Sequence, residues 1–194
     1  GFTSDPTPIV YKLTETQTGL SDTATVTVIY IAQAPIANND LSSGNPVNTA
    51  VTVNPLANNG SGVDADPDGT IDPSTVRLLS PTGATAIVTD SKGITSFDVP
   101  NEGKWSVNPV TGAITFTPLP TFHKDPTPIQ YNVKDNDGNI SNNARVTIDY
   151  VPVAANDRNT TPGTPGLPVA LNVSGNDTAG DTVDVSTAVL DASS

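Results

Sequence analysis

The chain has 194 residues and carries 20 acidic against 8 basic side chains, a formal charge of −12. Such acidity argues against nucleic acid and anionic membrane surfaces as partners, because phosphate would be repelled. Cys is absent, which excludes disulfides, thiol catalysis and cysteine-ligated metals, and no apolar run approaches the ~20 residues of a bilayer span. Met is absent even at position 1, so the sequence reads as a piece of something longer. Only Glu15 and Glu102 are glutamates and the other eighteen acids are Asp, which favours turns, caps and cation-binding loops over helix interiors.

In chain order, the predicted elements are strands. Ala24, Val26, Val28 and Tyr30 alternate with Thr25, Thr27 and Ile29. Val51 and Val53, Trp105 and Val107, and Ile114 and Phe116 follow with the same period of two. Ile129, Tyr131 and Val133 come next, and Ala144, Val146, Ile148 and Tyr150 then oppose Arg145, Thr147 and Asp149. No stretch sustains the spacing of an amphipathic helix. Pro, Gly, Asn and Asp clusters punctuate these Thr- and Val-rich runs, which predicts an all-β fold, an Ig-like antiparallel β-sandwich.

An internal repeat sets the organisation. Residues 2–30 align without gaps on residues 122–150, with 12 of 29 positions identical. Phe-x-x-Asp-Pro-Thr-Pro-Ile-x-Tyr begins at Phe2 and again at Phe122. Further on, Ala37-Asn38-Asn39-Asp40 corresponds to Ala154-Ala155-Asn156-Asp157, and Val51, Val53, Asn54 and Asn58 to Val169, Leu171, Asn172 and Asn176. Asp72-Pro73-Ser74-Thr75 corresponds to Asp184-Val185-Ser186-Thr187. The pattern divides the chain into the last strands of one module (1–33), a complete module (34–152) and the first strands of a third (153–194). The flanks hold too few strands to be stable alone. They call for completion by neighbouring sequence or by another chain, or for packing on the middle module.

The segment Gly103-Lys104-Trp105, Thr111-Gly112-Ala113-Ile114-Thr115-Phe116-Thr117-Pro118 and Phe122…Asp125-Pro126-Thr127-Pro128-Ile129-x-Tyr131 resembles the CshA-type fibril repeat of bacterial surface adhesins. Ala37-Asn38-Asn39-Asp40 with Val51-x-Val53-Asn54 is also similar to the cadherin-like and Ig-like stalk repeats of giant Gram-negative adhesins. The resemblance implies β-sandwiches in a tandem array, exported to the bacterial cell surface, with neighbouring repeats of the same chain as partners.

Asp64-Ala65-Asp66-Pro67-Asp68-Gly69-Thr70-Ile71-Asp72 supplies carboxylates at positions 1, 3, 5 and 9 and Gly at 6, as in the first nine positions of an EF-hand calcium loop. Thr75 stands where the closing Glu would be, so a full EF-hand is excluded and further oxygens must come from elsewhere. Asp135 and Asp137, in Asp-Asn-Asp-Gly, and Asn39-Asp40 in the entering linker fall at the same end of an Ig-like sandwich. Carboxylates crowded there repel unless a cation sits among them, and cadherin-like arrays stiffen their junctions with calcium. The expected ligands are therefore Asp64, Asp66, Asp68, Asp72, Asp135, Asp137, Asp40 and Asn39, with calcium as the ion. The bland alternative is a set of solvated Asp turns.

Catalysis is not expected. His123 is the lone His, in a Pro-rich turn, and no nucleophile elbow exists. Trp105 alternates with Val107 and reads as a strand core residue rather than a sugar platform. The sequence points to a calcium-stiffened extracellular stalk repeat. A glycan- or protein-binding adhesin module, or an accessory module of a secreted hydrolase, is the alternative. A further expectation is self-association into filaments, strands 1–33 of one chain completing 153–194 of another.

Overall fold

The structure, a computed structural model, describes residues 5–177 and residue 188. Phe2 and residues 184–187 of the repeat alignment lie outside the described residues. Among the described residues there are eleven strands and no helix. A hairpin of β1 (Ile9–Thr14) and β2 (Ser21–Val26) forms a separate two-stranded sheet. The remaining strands are β3 (Asp40–Asn45), β4 (Val51–Val53), β5 (Ile71–Leu79), β6 (Thr85–Asp90), β7 (Gly93–Val99), β8 (Gly103–Val107), β9 (Ile114–Pro118), β10 (Ile129–Asp135) and β11 (Ala144–Tyr150). They pair in the order β3-β11-β10-β5-β7-β8-β9-β4, with β6 on the flank of β7.

The two ends of that order, β3 and β4, are consecutive in the chain and touch, so the sheet rolls into a sandwich that is nearly a barrel. Every pairing is antiparallel except one: β11 runs parallel to β3, with Val146 opposite Asp40 and Ile148 opposite Ser42. That parallel edge brings the chain's entry into the module beside the start of its last strand.

Strand alternation becomes inside and outside. Ile129, Tyr131 and Val133 of β10, and Val146, Ile148 and Tyr150 of β11, are buried, while Gln130 and Arg145 face solvent. Trp105, Phe97, Phe116 and Ile114 fill the opposite wall at 0% exposure. The Trp105 and Phe116 rings lie 4.9 Å apart, and Phe122 meets the Phe116 edge at 6.0 Å. With so few aromatics in the chain, each one here carries a large share of the core.

Two features were not visible in the alternation. The β6–β7 hairpin joins the wall through a buried Arg77, whose Nε donates to Asp90 Oδ1 at 2.9 Å and whose Nη2 also meets Asp90. Arg77 Nη1 donates to the carbonyls of Ser74 and Val76, so the buried guanidinium is satisfied by its own strand and by the β6 end. Gly112 has φ +74°, and a Cβ there would stand 2.8 Å from Pro73 O and Val76 Cγ2, which explains Gly in Thr111-Gly112.

Replacing Trp105 by Ala should cost about 3–5 kcal/mol, because a fully buried indole leaves a cavity this thin core cannot refill. Urea denaturation checks it: the unfolding free energy extrapolated to water falls by that amount, whereas truncating solvent-facing Lys104 leaves it almost unmoved.

Candidate functional site

Three segments meet at the pole where the chain enters the sandwich: the linker before β3, the β4–β5 connection (54–70) and the β10–β11 connection (136–143). The linker is fastened along its length. Gln33 N donates to Asp68 Oδ2 at 2.9 Å, and Asn139 Nδ2 to Gln33 O at 3.4 Å. Ile36 and Ala65 exchange both main-chain bonds, at 2.8 and 3.1 Å. The Asn142 carboxamide brackets Ala37, taking its N–H at 3.0 Å and giving to its carbonyl at 2.8 Å. Asn38 N donates to Asp64 Oδ1 at 2.7 Å, and Asn39 Oδ1 accepts from Arg145 N at 2.8 Å.

An inner layer of this pole is buried. Asp40 and Asp64 are 3% and 6% exposed, and the Tyr131 hydroxyl donates to Asp64 Oδ2 at 2.8 Å. Asp40 Oδ1 accepts from Asn59 Nδ2 at 2.9 Å, while its Oδ2 is buried with no hydrogen-bond partner. Burial pushes the Asp40 carboxyl up to about 6, relieved in part by the bond from Asn59 and the nearby Tyr131 hydroxyl and reinforced by the charge of Asp64. Burial raises Asp64 as well, against the bonds it accepts from Asn38 and Tyr131. Between two carboxylates Tyr131 keeps its proton, chiefly because burial disfavours the phenolate.

The outer layer holds Asp66, Asp68 and Asp135. Asp66 Oδ2 and Asp68 Oδ1 are both buried without a hydrogen-bond partner. Burial raises the Asp66 carboxyl, and the charges of Asp135 and Asp68 add to the rise. Asp135 behaves oppositely: burial would raise it, but the Asn139 side chain and the amides of Asp137 and Asn139 bind its oxygens and bring it below the usual range. Asn136 is the hinge between the two loops, since Thr70 N donates to its Oδ1 at 2.8 Å and its own N–H reaches Thr70 O at 2.9 Å. A Cβ on Gly69 would fall 2.4 Å from Asn136 Oδ1 and 2.6 Å from Asp66 Oδ2, so both oxygens press on the spot that Gly leaves open.

The remaining expected ligands have other partners. Asp72 lies in β5, where Oδ1 accepts from Ser74 N and Oγ and Oδ2 stands 3.9 Å from Lys92 Nζ. Asn39 is tied to β11, and Asp137 is exposed beside Asn136. Among the described residues, no three Asp, Glu, His or Cys side chains stand together in a group that could hold a metal ion. Any cation held here would have to use amide and main-chain oxygens as well as carboxylates. Gln33, Asn136 and Asn142 were not among the residues singled out in the sequence, since a clamp on main-chain groups leaves no charge pattern. Tyr131 carried a signal, its recurrence as Tyr11.

On the opposite side of the sheet edge, a shallow groove of about 550 Å³ is lined by Leu41, Asp125, Pro126, Thr127 and Thr147. It has no aromatic face for a sugar. Trp105, the alternative platform, is wholly in the core.

The described residues thus form a rolled all-β module whose entry linker is bolted to one pole. Residues 32–153, well over half of the chain, match the family described as the surface adhesin CshA repetitive domain, and the chain belongs to that family. No curated protein and no solved structure matches the chain.

The buried acids give the module an inverted acid response. Asp40 binds its proton more tightly folded than unfolded, so between about pH 6 and the ordinary carboxylate range near 4 stability rises as pH falls. Asp64 and Asp66 act in the same direction. Below about pH 4 the lowered Asp72 and Asp135 reverse it, because their hydrogen-bonded carboxylates are then protonated. Melting temperatures across pH 3–8 should therefore peak between about pH 4 and 6. Asp40→Asn should flatten the rise below pH 7 and leave the low-pH loss in place. Gly69→Ala should cost about 1–3 kcal/mol by overpacking against Asn136 and Asp66, read as a lowered denaturation midpoint.

Proposed function

We propose that this chain is a length of stalk from a bacterial surface adhesin, a run of sandwich repeats that holds a distal region away from the cell. The supporting observation is a geometry that recurs at the repeat offset. Ile9↔Val26, Val10↔Thr25 and Tyr11↔Ala24 have the register of Ile129↔Val146, Gln130↔Arg145 and Tyr131↔Ala144. Tyr30 N donates to Asp5 Oδ1 at 2.6 Å, as Tyr150 N donates to Asp125 Oδ1 at 2.7 Å. Such recurrence fits modules bounded near 1–33, 34–152 and 153–194, joined by short linkers of the kind fastened between Gln33 and Asn39. Pro35, buried in that linker, fixes φ and limits bending.

The stalk is extracellular, as a surface adhesin repeat requires, and its work is mechanical, with no catalytic step. Membership in a repeat family supports this above the ligand-binding and hydrolase-accessory readings, and the aromatic-free groove speaks against a glycan site. Calcium is the proposed stiffener. Its support is the pair of buried, unpartnered oxygens of Asp66 and Asp68 beside Asp135, with Asn136 Oδ1 adjoining. A hard divalent ion takes oxygens of this mixed kind and relieves the repulsion among them. Bound there, it would lock Asp68, and through it Gln33, to the β10–β11 loop.

Thermal melts in millimolar calcium and in chelator test the stiffener. At calcium 100 times its dissociation constant, ligand linkage adds about 2.7 kcal/mol. The melting temperature should rise accordingly, Asp66→Ala should abolish the rise, and Asp72→Asn should keep it. Equal melts with calcium and with chelator would remove calcium and leave the stalk reading intact.

A further inference from the structure

Tension along the chain meets the middle module at two adjacent strands. The chain enters through the linker into β3 and leaves from the end of β11, and these strands lie side by side and parallel. Pulling on both sides therefore draws β3 back past its start and β11 onward past its end, so that one strand slides along the other. Hydrogen bonds between strands run across that direction. They share the load and must give way together. Two strands separated from one end instead lose their bonds one at a time, each at a small force.

The contact is longer than the ladder of strand pairs. Val146 stands opposite Asp40, Thr147 opposite Leu41, Ile148 opposite Ser42 and Tyr150 opposite Asn45. Ahead of that ladder, residues 37–39 make no strand pairing, and side-chain amides take its place. Asn142 Oδ1 accepts from Ala37 N at 3.0 Å and Asn142 Nδ2 donates to Ala37 O at 2.8 Å, while Asn39 Oδ1 accepts from Arg145 N at 2.8 Å. At the far end the register shifts by one residue between Ser42 and Asn45, an irregularity that would interrupt the ladder. Asn45 Nδ2 spans it, donating to Ser42 O and to Asp149 O, both at 2.9 Å, and Asn45 O accepts from Val151 N at 2.9 Å. Three asparagines thus extend the contact to residues 37–45 on one side and 142–151 on the other. The opposite edge of β3 is held as well: Leu41 N donates to Asn59 O at 3.1 Å, and Asp40 bridges Gly60. β3 lies in a slot.

We propose that this asparagine-extended β3–β11 contact is a shear clamp that sets the force at which the module opens, and that its resistance is directional. It is high when the strands are pulled lengthwise and low when they are parted from the pole. That the clamp is loaded in use rests on the stalk reading; its direction rests on the strands alone. Strand alternation reinforces it. A slip by one residue would put Thr147 and Asp149 where Ile148 and Tyr150 are each 1% exposed, so the ladder cannot creep to the next register under load.

Because the chain has no Cys, thiol handles can be placed at chosen points, and Ala34, Asn143 and Ala154 are all exposed. Single-molecule force spectroscopy on the full chain then compares two directions. Handles at Ala34→Cys and Ala154→Cys load the contact lengthwise, and handles at Ala34→Cys and Asn143→Cys part it from the pole. The released length, about 3.4 Å for each residue between the handles, identifies the module's unfolding. At one loading rate the lengthwise force should exceed the parting force at least about twofold, because forced unfolding follows the barrier rather than equilibrium stability. Asn142→Ala should lower the lengthwise force. Val107→Ala, at a buried position on the far wall, should lower stability in urea and leave that force nearly unmoved. Equal forces in the two directions overturn the proposal, as does a lengthwise force that falls as far in Val107→Ala as in Asn142→Ala. Either failure leaves the stalk reading in place, which falls instead if a chain lengthened by whole modules scatters X-rays as a compact particle rather than a rod.

Discussion

A carboxylate removed from water requires a proton, a set of donors or a cation. Five of this chain's Asp residues are brought to one pole of the module, and the surrounding structure is arranged around meeting that requirement. Asp135 is met by donors, all from its own turn. Asp64 is met by the linker and by Tyr131, which makes a buried acid into a fastening between the chain's entry and its tenth strand. Asp40, Asp66 and Asp68 are each left with one buried oxygen unmatched, and those oxygens carry the proton and cation chemistry proposed for the site.

The proposed stalk function has a mechanical basis in the linker. A tandem array bends at its joints, and in the proposed stalk the joint is the seven-residue stretch 33–39, in which Gln33, Ile36, Ala37, Asn38 and Asn39 are each held by a main-chain bond or a side-chain clamp. Pulling on the N-terminal side would load those bonds together with the parallel β3–β11 edge, which lies in the same direction as the force. A chain without cysteine has no covalent staple for such a joint. Its hydrophobic content is modest and its core depends on a few aromatics, so polar fastening at the pole takes a larger share of the work.

Much of the fold could be read directly from residue order. Strands β10 and β11, with Trp105 and Phe116, alternate so cleanly that inside and outside follow from the sequence. β3 did not show, because Asp-Leu-Ser-Ser-Gly-Asn has no alternation; its strand character comes from the edge of β11, a tertiary cause. β6 escaped for a related reason, being fully exposed and joined to the wall by β7 and the Arg77–Asp90 pair. At the site, the Asp-x-Asp-x-Asp spacing located the pole but could not distribute the acids within it. Asp64 and Asp66 are two residues apart, yet one faces Tyr131 inside and the other Asp68 and Asp135 outside. Asp72, at the ninth position of the loop pattern, belongs to a strand and to Ser74. Main-chain clamps by Asn136 and Asn142 leave no trace in composition at all.

The central claim is that the acidic pole holds the linker rigid and that calcium tightens the hold. Amide hydrogen exchange at Gln33 measures this at the bond concerned, since its N–H reaches Asp68 directly. The account predicts that the Gln33 amide exchanges slowly in calcium and at least about tenfold faster in chelator, while amides in β10 and β11 are unchanged. Exchange at Gln33 that is fast and equal in both conditions would contradict it.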